Sequence, residues 1–386
     1  MIVYVTTQGA RVVREGRHLL VKYKEDIYHT LFIHKLEQLI ICGNVTVTPP
    51  ALSLLLREGI DTVFLRKDGR YRGRLAIQEP KNVFLRRRQF ALTGDVIFCL
   101  KTARSIVRGK LLNMVTLLQR IKRTRKTQSI DGPCKAIRGM LERLDAVQTL
   151  DQLRGVEGQA SALYFNGMRY GLDDDFGFRK RVRRPPTDPV NSVLSLLYTF
   201  LINRMVAAVR IAGLDPYPGV LHSLEYGRQS LPLDLVEEFR APFADAVALA
   251  LFNLRVLKEQ DFYVYEPPEL PLPKPQKDNL DAVAQDVLGA MSSTESEADD
   301  FFDLPDQQME TTVDEAEGRQ GKGAVRLQPP AFKKVIIAFE KKLNTEFFHP
   351  VASSRMSYGD AMVFQARQYR RLIEGEAAQY HSFLLR

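Results

Sequence analysis

The 386 residues contain no tryptophan, three cysteines and six histidines, and these shortages sort the function classes before any motif is read. Cys42, Cys99 and Cys134 are far apart, odd in number and in no CxxC spacing, which argues against a disulfide framework and a thiolate zinc site. No run of 18 apolar residues occurs, and Met1-Ile2-Val3-Tyr4-Val5 lacks the blocks of a signal peptide. Neither membrane insertion nor secretion is expected, and the predicted location is cytoplasmic. Basic residues are missing from one stretch altogether: Asp278 to Glu317 holds 13 acidic side chains and no Lys or Arg.

The rest of the chain therefore carries 55 basic against 33 acidic side chains, a surplus of 22. A surplus of that size attracts polyanions and favours salt-dependent binding, so nucleic acid is the leading partner, with a merely soluble basic surface as the alternative. Lys101, Arg104, Arg108 and Lys110, then Arg120, Lys122, Arg123, Arg125 and Lys126, place cations along helix faces and a following loop. A solvated face would explain any one of them; together they exceed what solubility needs.

The pattern along the chain predicts an α+β protein. Ile2 to Thr6, Arg11 to Val13, His18 to Tyr23, Leu39 to Cys42 and Asp61 to Leu65 read as strands, with a helix from Pro50 to Arg57. Alternation in His18-Leu19-Leu20-Val21-Lys22-Tyr23 and the turn Lys67-Asp68-Gly69-Arg70 favour antiparallel pairing. From about Asn82 apolar residues recur at three and four, the helical period. The expected domains are 1–80, β-rich, and 81–386, α-helical, with an acidic, proline-flanked insertion at about 266–323 that has little to bury.

Four residues sit in contexts that suit a divalent cation: Glu157 in Gly155-Val156-Glu157-Gly158-Gln159-Ala160, His222 in Gly219-Val220-Leu221-His222-Ser223, and Asp234 and Glu237 in Leu231-Pro232-Leu233-Asp234-Leu235-Val236-Glu237-Glu238. One imidazole with carboxylates is a hard N/O donor set, suited to Mg²⁺ or Mn²⁺. Inside a basic protein, such a set points to chemistry on phosphodiesters. Asp234 and Glu237 are three apart and share a helix face. Bland alternatives stand beside each: Asp234 as an N-terminal helix charge, Glu238 as solvent-facing, His222 as a surface or packing residue, and Glu157 as a turn residue whose flanking glycines serve a close backbone approach. Arg184 and Arg228 flank the acidic blocks and are the guanidiniums expected nearest the reacting phosphate, which they can grip bidentately.

These blocks, with Arg183-Arg184-Pro185-Pro186-Thr187-Asp188-Pro189-Val190-Asn191-Ser192, Gly213-Leu214-Asp215-Pro216-Tyr217-Pro218 and Gly227-Arg228-Gln229-Ser230, resemble the CRISPR-associated adaptation endonucleases, the integrase subunits that insert new spacers. Leu343-Asn344-Thr345, His349-Pro350 and Gln365-Ala366-Arg367 resemble that family's C-terminal helices. The resemblance implies an N-terminal β-sandwich-like domain that mediates homodimerisation and a helical catalytic domain. It implies metal ligands at Glu157, His222 and Glu237, with Asp234 as a fourth catalytic candidate. It further implies pairing with a small second adaptation subunit, and joining of the 3′-OH ends of a short duplex to a repeat array. A transposon-type integrase with the same site and a catalytically silent DNA-binding scaffold are the alternatives. The acidic insertion is where the chain departs from the family pattern.

Thirteen carboxylates without a cation read as a bland surface insertion, as an internal polyanion that competes weakly with nonspecific DNA for the basic surface, or as a docking site for a partner, with competition favoured over docking. Deletion of residues 278–317 should strengthen duplex affinity, most at low salt, in a salt-series titration; equal affinity at every salt concentration would remove the competition idea.

Overall fold

The computed structural model describes residues 1–24, 26–75, 82–183, 185–265 and 323–385. Arg184, the expected domain boundary near residue 80 and the expected insertion up to residue 322 fall outside the described residues. Residues Met1–Tyr265 and Ala324–Arg386 form one compact unit.

Strands come first. β1 (Ile2–Val5), β2 (Arg11–Glu15), β3 (His18–Tyr23), β4 (Asp26–Phe32), β5 (Gln38–Cys42), β6 (Thr46–Val47), β7 (Asp61–Leu65) and β8 (Tyr71–Arg74) make two four-stranded sheets, ordered β1-β5-β7-β8 and β4-β3-β2-β6, with helix α1 (Pro49–Arg57) before β7. The antiparallel expectation holds for β2-β3-β4 and for β7-β8, but β1, β5 and β7 run parallel, as do β2 and β6. The connection explains the difference: β1 reaches β5 only after the chain has built three strands of the other sheet, and β5 reaches β7 through α1, a crossover of the kind a parallel pair requires.

Period-two alternation on β5 fixes the layers. Leu39 and Ile41 pack with Val12, Leu19 and Leu31 of the other sheet, while Ile40 and Cys42 pack with the helical core. Covered on both sides, β5 is buried at all five positions.

The remainder is mostly helical: α2 (Val83–Thr93), α3 (Val96–Arg125), α4 (Asp131–Arg143), α5 (Leu150–Met168), α6 (Pro189–Ile211), α7 (Ser230–Phe239), α8 (Ala246–Asn253), α9 (Pro329–Leu343) and α10 (Tyr358–Glu374). Two short antiparallel pairs join them, β9 (Phe262–Tyr265) with β10 (Ala324–Leu327) and β11 (Glu346–His349) with β12 (Ser354–Ser357). At α6 the Asp188 side chain accepts from Asn191 N at 2.8 Å and Pro189 occupies the first turn, a paired start signal. Among the described residues α6 alone is long and apolar enough to cross a membrane, yet Val193, Leu197, Leu201 and Met205 are core residues of this fold.

Between α7 and α8 the helix widens into a π-helical stretch, Arg240–Asp245, containing Pro242. Proline has no N–H to offer the carbonyl four residues back, that of Glu238. The Asn113 side chain of α3 donates to that carbonyl instead, at 2.8 Å.

The β7-β8 turn packs onto the helices through Gly69, which has φ +88°, and an added Cβ would overlap Leu196 Cδ1 and lie 2.9 Å from Phe332. Gly69→Ala is expected to cost about 1–3 kcal/mol through backbone strain and overpacking, read as a lower urea midpoint. An unchanged midpoint would mean that the turn is not held by this contact.

Candidate active site

Three helices meet at one nitrogen. Lys110 occupies a core register of α3 beside Ile106, Val107 and Met114, and its side chain is 5% exposed. Its Nζ pairs with Glu157 Oε1 from α5 and lies 2.6 Å from Glu237 Oε2 of α7. Ser161, one turn beyond Glu157, donates to the same Oε1 at 2.8 Å. Glu237 is 1% exposed, and its Oε1 lies 2.9 Å from Arg240 Nη2. Neither Glu237 oxygen receives a hydrogen bond of acceptable angle, so the carboxylate is held by charge, a cation on each side.

Glu157 is mid-helix rather than in a turn. Its flanking glycines also differ from expectation: a Cβ at Gly155 or Gly158 would meet no atom within 4 Å, so these positions leave α5 uncovered instead of serving a close backbone approach.

Asp234 and His222 form a second pair. Asp234 Oδ1 accepts from His222 N at 3.0 Å and lies 2.6 Å from His222 Nδ1, while Oδ2 accepts from Val220 N at 2.5 Å and Leu221 N at 3.1 Å. The loop can wrap this closely because residue 219 is glycine: a Cβ there would sit 2.6 Å from Asp234 Oδ2. A carboxylate in such a nest of amides places the imidazole proton on Nδ1 and leaves the lone pair on Nε2, the arrangement of a metal-ligating histidine. Asp234, fully buried and engaged by this loop, is more than a helix-terminal charge. Arg154 Nε donates to Leu221 O at 2.7 Å, tying the loop to α5 one turn before Glu157.

Behind the carboxylate pair lies a layer that sequence reasoning did not single out. Tyr164 and Tyr198 donate to Asp245 at 2.6 and 2.7 Å, and burial pushes the Asp245 carboxyl up to about 6. Arg181 and Arg240 stack on Tyr198 at 5.3 and 4.9 Å, and burial lowers Arg181 to about 10. A cavity of about 20 Å³, room for about one water, is lined by Lys110, Ser161, Tyr164, Arg181, Tyr198 and Arg240. A larger cavity of about 950 Å³, bordered by Asp61, Arg204 and Glu340, contains none of the predicted site residues. The small cavity touches the carboxylate pair only through its partners, Lys110, which meets Glu157 and Glu237, and Arg240, which meets Glu237.

The structure brings Glu157 together with Glu237, and His222 with Asp234; among the described residues no three His, Cys, Asp or Glu side chains form a ready metal cluster. Glu238, expected to face solvent, is fully buried: its Oε2 accepts from Gln365 at 2.9 Å and from Phe383 N at 2.6 Å, and burial pushes its carboxyl up to about 8. Arg228 is 5% exposed and holds Glu225 at 2.8 Å and Ser223 at 3.2 Å, bracing the loop beside His222. Several cations of the expected basic face are also paired internally: Lys110 is buried, Arg104 donates to Val147 O at 2.6 Å, Arg108 pairs with Asp145 at 2.7 Å and Lys122 with Asp131 at 2.5 Å.

Residues 3–274 match the family described as CRISPR associated protein Cas1. A Thermus thermophilus protein named CRISPR-associated endonuclease Cas1 3 is 31% identical over 387 residues, covering 100% of this chain and 97% of its own. Among solved structures, a Cas6-RT-Cas1–Cas2 complex superposes with TM-score 0.75 at 21% identity, over 99% of this chain and 36% of that one. A casposase bound to integration product gives TM-score 0.75 at 16% identity, over 98% and 92%. At those identities the two structures speak to the fold, strands followed by a mostly helical part.

The Asp245 carboxyl titrates near 6 in the fold against an unperturbed 3.8, so between these values the folded chain holds a proton that the unfolded chain has lost. Its contribution to stability is complete below about 4 and disappears as pH rises through about 6. Asp245→Asn lacks this dependence: wild type should gain stability relative to the variant as pH falls from 7 to 4.5 in paired urea titrations. A constant difference would contradict the assignment.

Proposed function

Because the chain belongs to the Cas1 family of CRISPR-associated proteins, we propose that it acts in CRISPR adaptation as a divalent-metal-dependent DNA endonuclease and integrase. The observation that carries this reading is the convergence of Glu157 and Glu237, from two helices, on a single cationic point. The full-length relative from Thermus thermophilus, named an endonuclease, supports the reaction class.

The residues fit a hard cation. Both Glu237 oxygens are buried without a hydrogen bond of acceptable angle, Glu157 is placed to share the same charge, and Asp234 sets the tautomer in which His222 Nε2 carries a lone pair. Glu157, His222 and Glu237 would hold Mg²⁺ or Mn²⁺, which supplies Lewis-acid polarisation of the phosphodiester and activation of the attacking oxygen. In this reading the nucleophile is the 3′-OH of the incoming duplex. A new P–O bond forms at the repeat array, the existing P–O3′ bond breaks, and the departing 3′ oxygen ends as a hydroxyl, with no covalent protein intermediate. Arg240, beside Glu237, is set to neutralise phosphate charge, Arg228 braces the His222 loop, and Arg184 is kept as a DNA contact by its place in the sequence. The surplus of basic residues supports double-stranded DNA, both prespacer and repeat array, as the partner. A homodimer and a small second adaptation subunit complete the proposed assembly; the Cas1–Cas2 complex of the same fold is in keeping with this.

The test is an integration assay with a short duplex, a repeat-bearing target and Mg²⁺ or Mn²⁺. Glu157→Ala, His222→Ala and Glu237→Ala should each abolish cleavage and strand transfer without unfolding the chain. Asp234→Asn, which leaves His222 poorly oriented, should cost roughly 10–100-fold in metal affinity or rate. Near-normal strand transfer by Glu157→Ala or His222→Ala in both metals would reject the assignment.

A further inference from the structure

The cation at the carboxylate pair is a side chain. Lys110 is no surface lysine: it lies on the core face of α3, its side chain is 5% exposed, and its Nζ bridges carboxylates from two other helices. Removing an ammonium from water is costly unless its charge is met, and the buried Glu237 and half-buried Glu157 carboxylates carry the converse cost. A hard divalent cation makes the same demand on the same oxygens with twice the charge.

We propose that Lys110 is the resident counter-ion of Glu157 and Glu237, and that a divalent cation binds this pair by displacing its ammonium, so that Lys110 sets the affinity for metal. The inference rests on Glu157 and Glu237 being metal ligands, as in the proposed function. The amine has a place to go, because Lys110 also lines the cavity of about 20 Å³ that it shares with Ser161 and Tyr164. The guanidiniums of Arg181, Arg183 and Arg240 outnumber the one carboxyl, Asp245, that also lines the cavity, so the move works against charge, and this opposition is what holds metal affinity down. Lys110 is thus a positioning residue: it keeps two like charges at bonding distance from one point before metal arrives, and it limits how tightly metal is held afterwards.

Mn²⁺ binding to the whole protein, followed by electron paramagnetic resonance of free Mn²⁺ and by calorimetry, tests this without reference to catalysis. Lys110→Gln keeps a polar side chain of similar length without the charge, Lys110→Met removes charge and polarity, and Lys110→Arg keeps the charge. The Gln and Met variants should bind Mn²⁺ about tenfold or more tightly than wild type, and the Arg variant no more tightly. Metal-free Lys110→Gln should melt below wild type, with Mn²⁺ closing the gap. Wild-type or weaker affinity in both Gln and Met variants overturns the proposal, and if the Met variant fails to fold the Gln variant decides alone. Separately, Glu157→Gln and Glu237→Gln should each weaken Mn²⁺ binding; if both bind as wild type does, the ligand reading itself fails and the displacement falls with it.

Discussion

Four carboxylates buried within twelve residues of one helical segment, Asp234, Glu237, Glu238 and Asp245, are the constraint around which the helical part is arranged. Each uncompensated charge would be costly away from water, and the fold meets each one differently. Asp234 is wrapped by the amides of the loop ending in His222. Glu237 is held between an ammonium and a guanidinium. Glu238 has its carboxyl pushed up to about 8 and takes its hydrogen bonds from Gln365 and the backbone of Phe383. Asp245 is met by two phenols from α5 and α6. Helices α3, α5, α6 and α10 and the final residues of the chain are therefore placed by polar requirements as much as by the packing of Leu, Val and Phe.

How far the sequence disclosed this depends on the range of the interaction. Local signals were readable: Asp188-Pro189 opens α6 where the cap and proline rules place a start, the apolar period marks the helices from Asn82 onward, and alternation marks β3. The contexts of Glu157, His222 and Glu237 and the family resemblance drew attention to segments that the fold does bring close, through Lys110 and Arg154. The distant partners were not readable, because Lys110 lies 47 residues from Glu157 and Phe383 lies 145 from Glu238, whereas the amides around Asp234 and the guanidinium beside Glu237 come from nearby sequence. Lys110 looked like one more cation on a basic helix. A clue existed, since it falls in the register of Ile106, Val107 and Met114, where a lysine has no solvent to reach. Glu238 was misjudged for a related reason: being next to a buried residue on a helix suggests a different face, but the final turn of α7 is enclosed from all sides.

The strand region teaches a different lesson. Alternation and turn residues identify β1, β2, β3, β5 and β7 and the antiparallel pairing, but β4, β6 and β8 were not among the expected strands. Direction across a long connection is another matter. β1, β5 and β7 are parallel because intervening elements occupy the other sheet or cross over as α1, and nothing within a strand's own residues encodes that.

Pro242 has a consequence for anyone drawing a helical wheel. A π-helical stretch inserts about one extra residue into a turn, so the phase of the pattern slips there by about 100°. Residues 230–253 read as a single amphipathic helix would have every face assigned correctly up to Phe239 and rotated afterwards. Asp245 would be drawn in the wrong sector, away from the tyrosines it meets. Asn113, on a helix more than a hundred residues earlier, occupies the carbonyl that the proline leaves without its usual donor. The frame change thus leaves a mark in a distant place, where an amide side chain meets the carbonyl beside it.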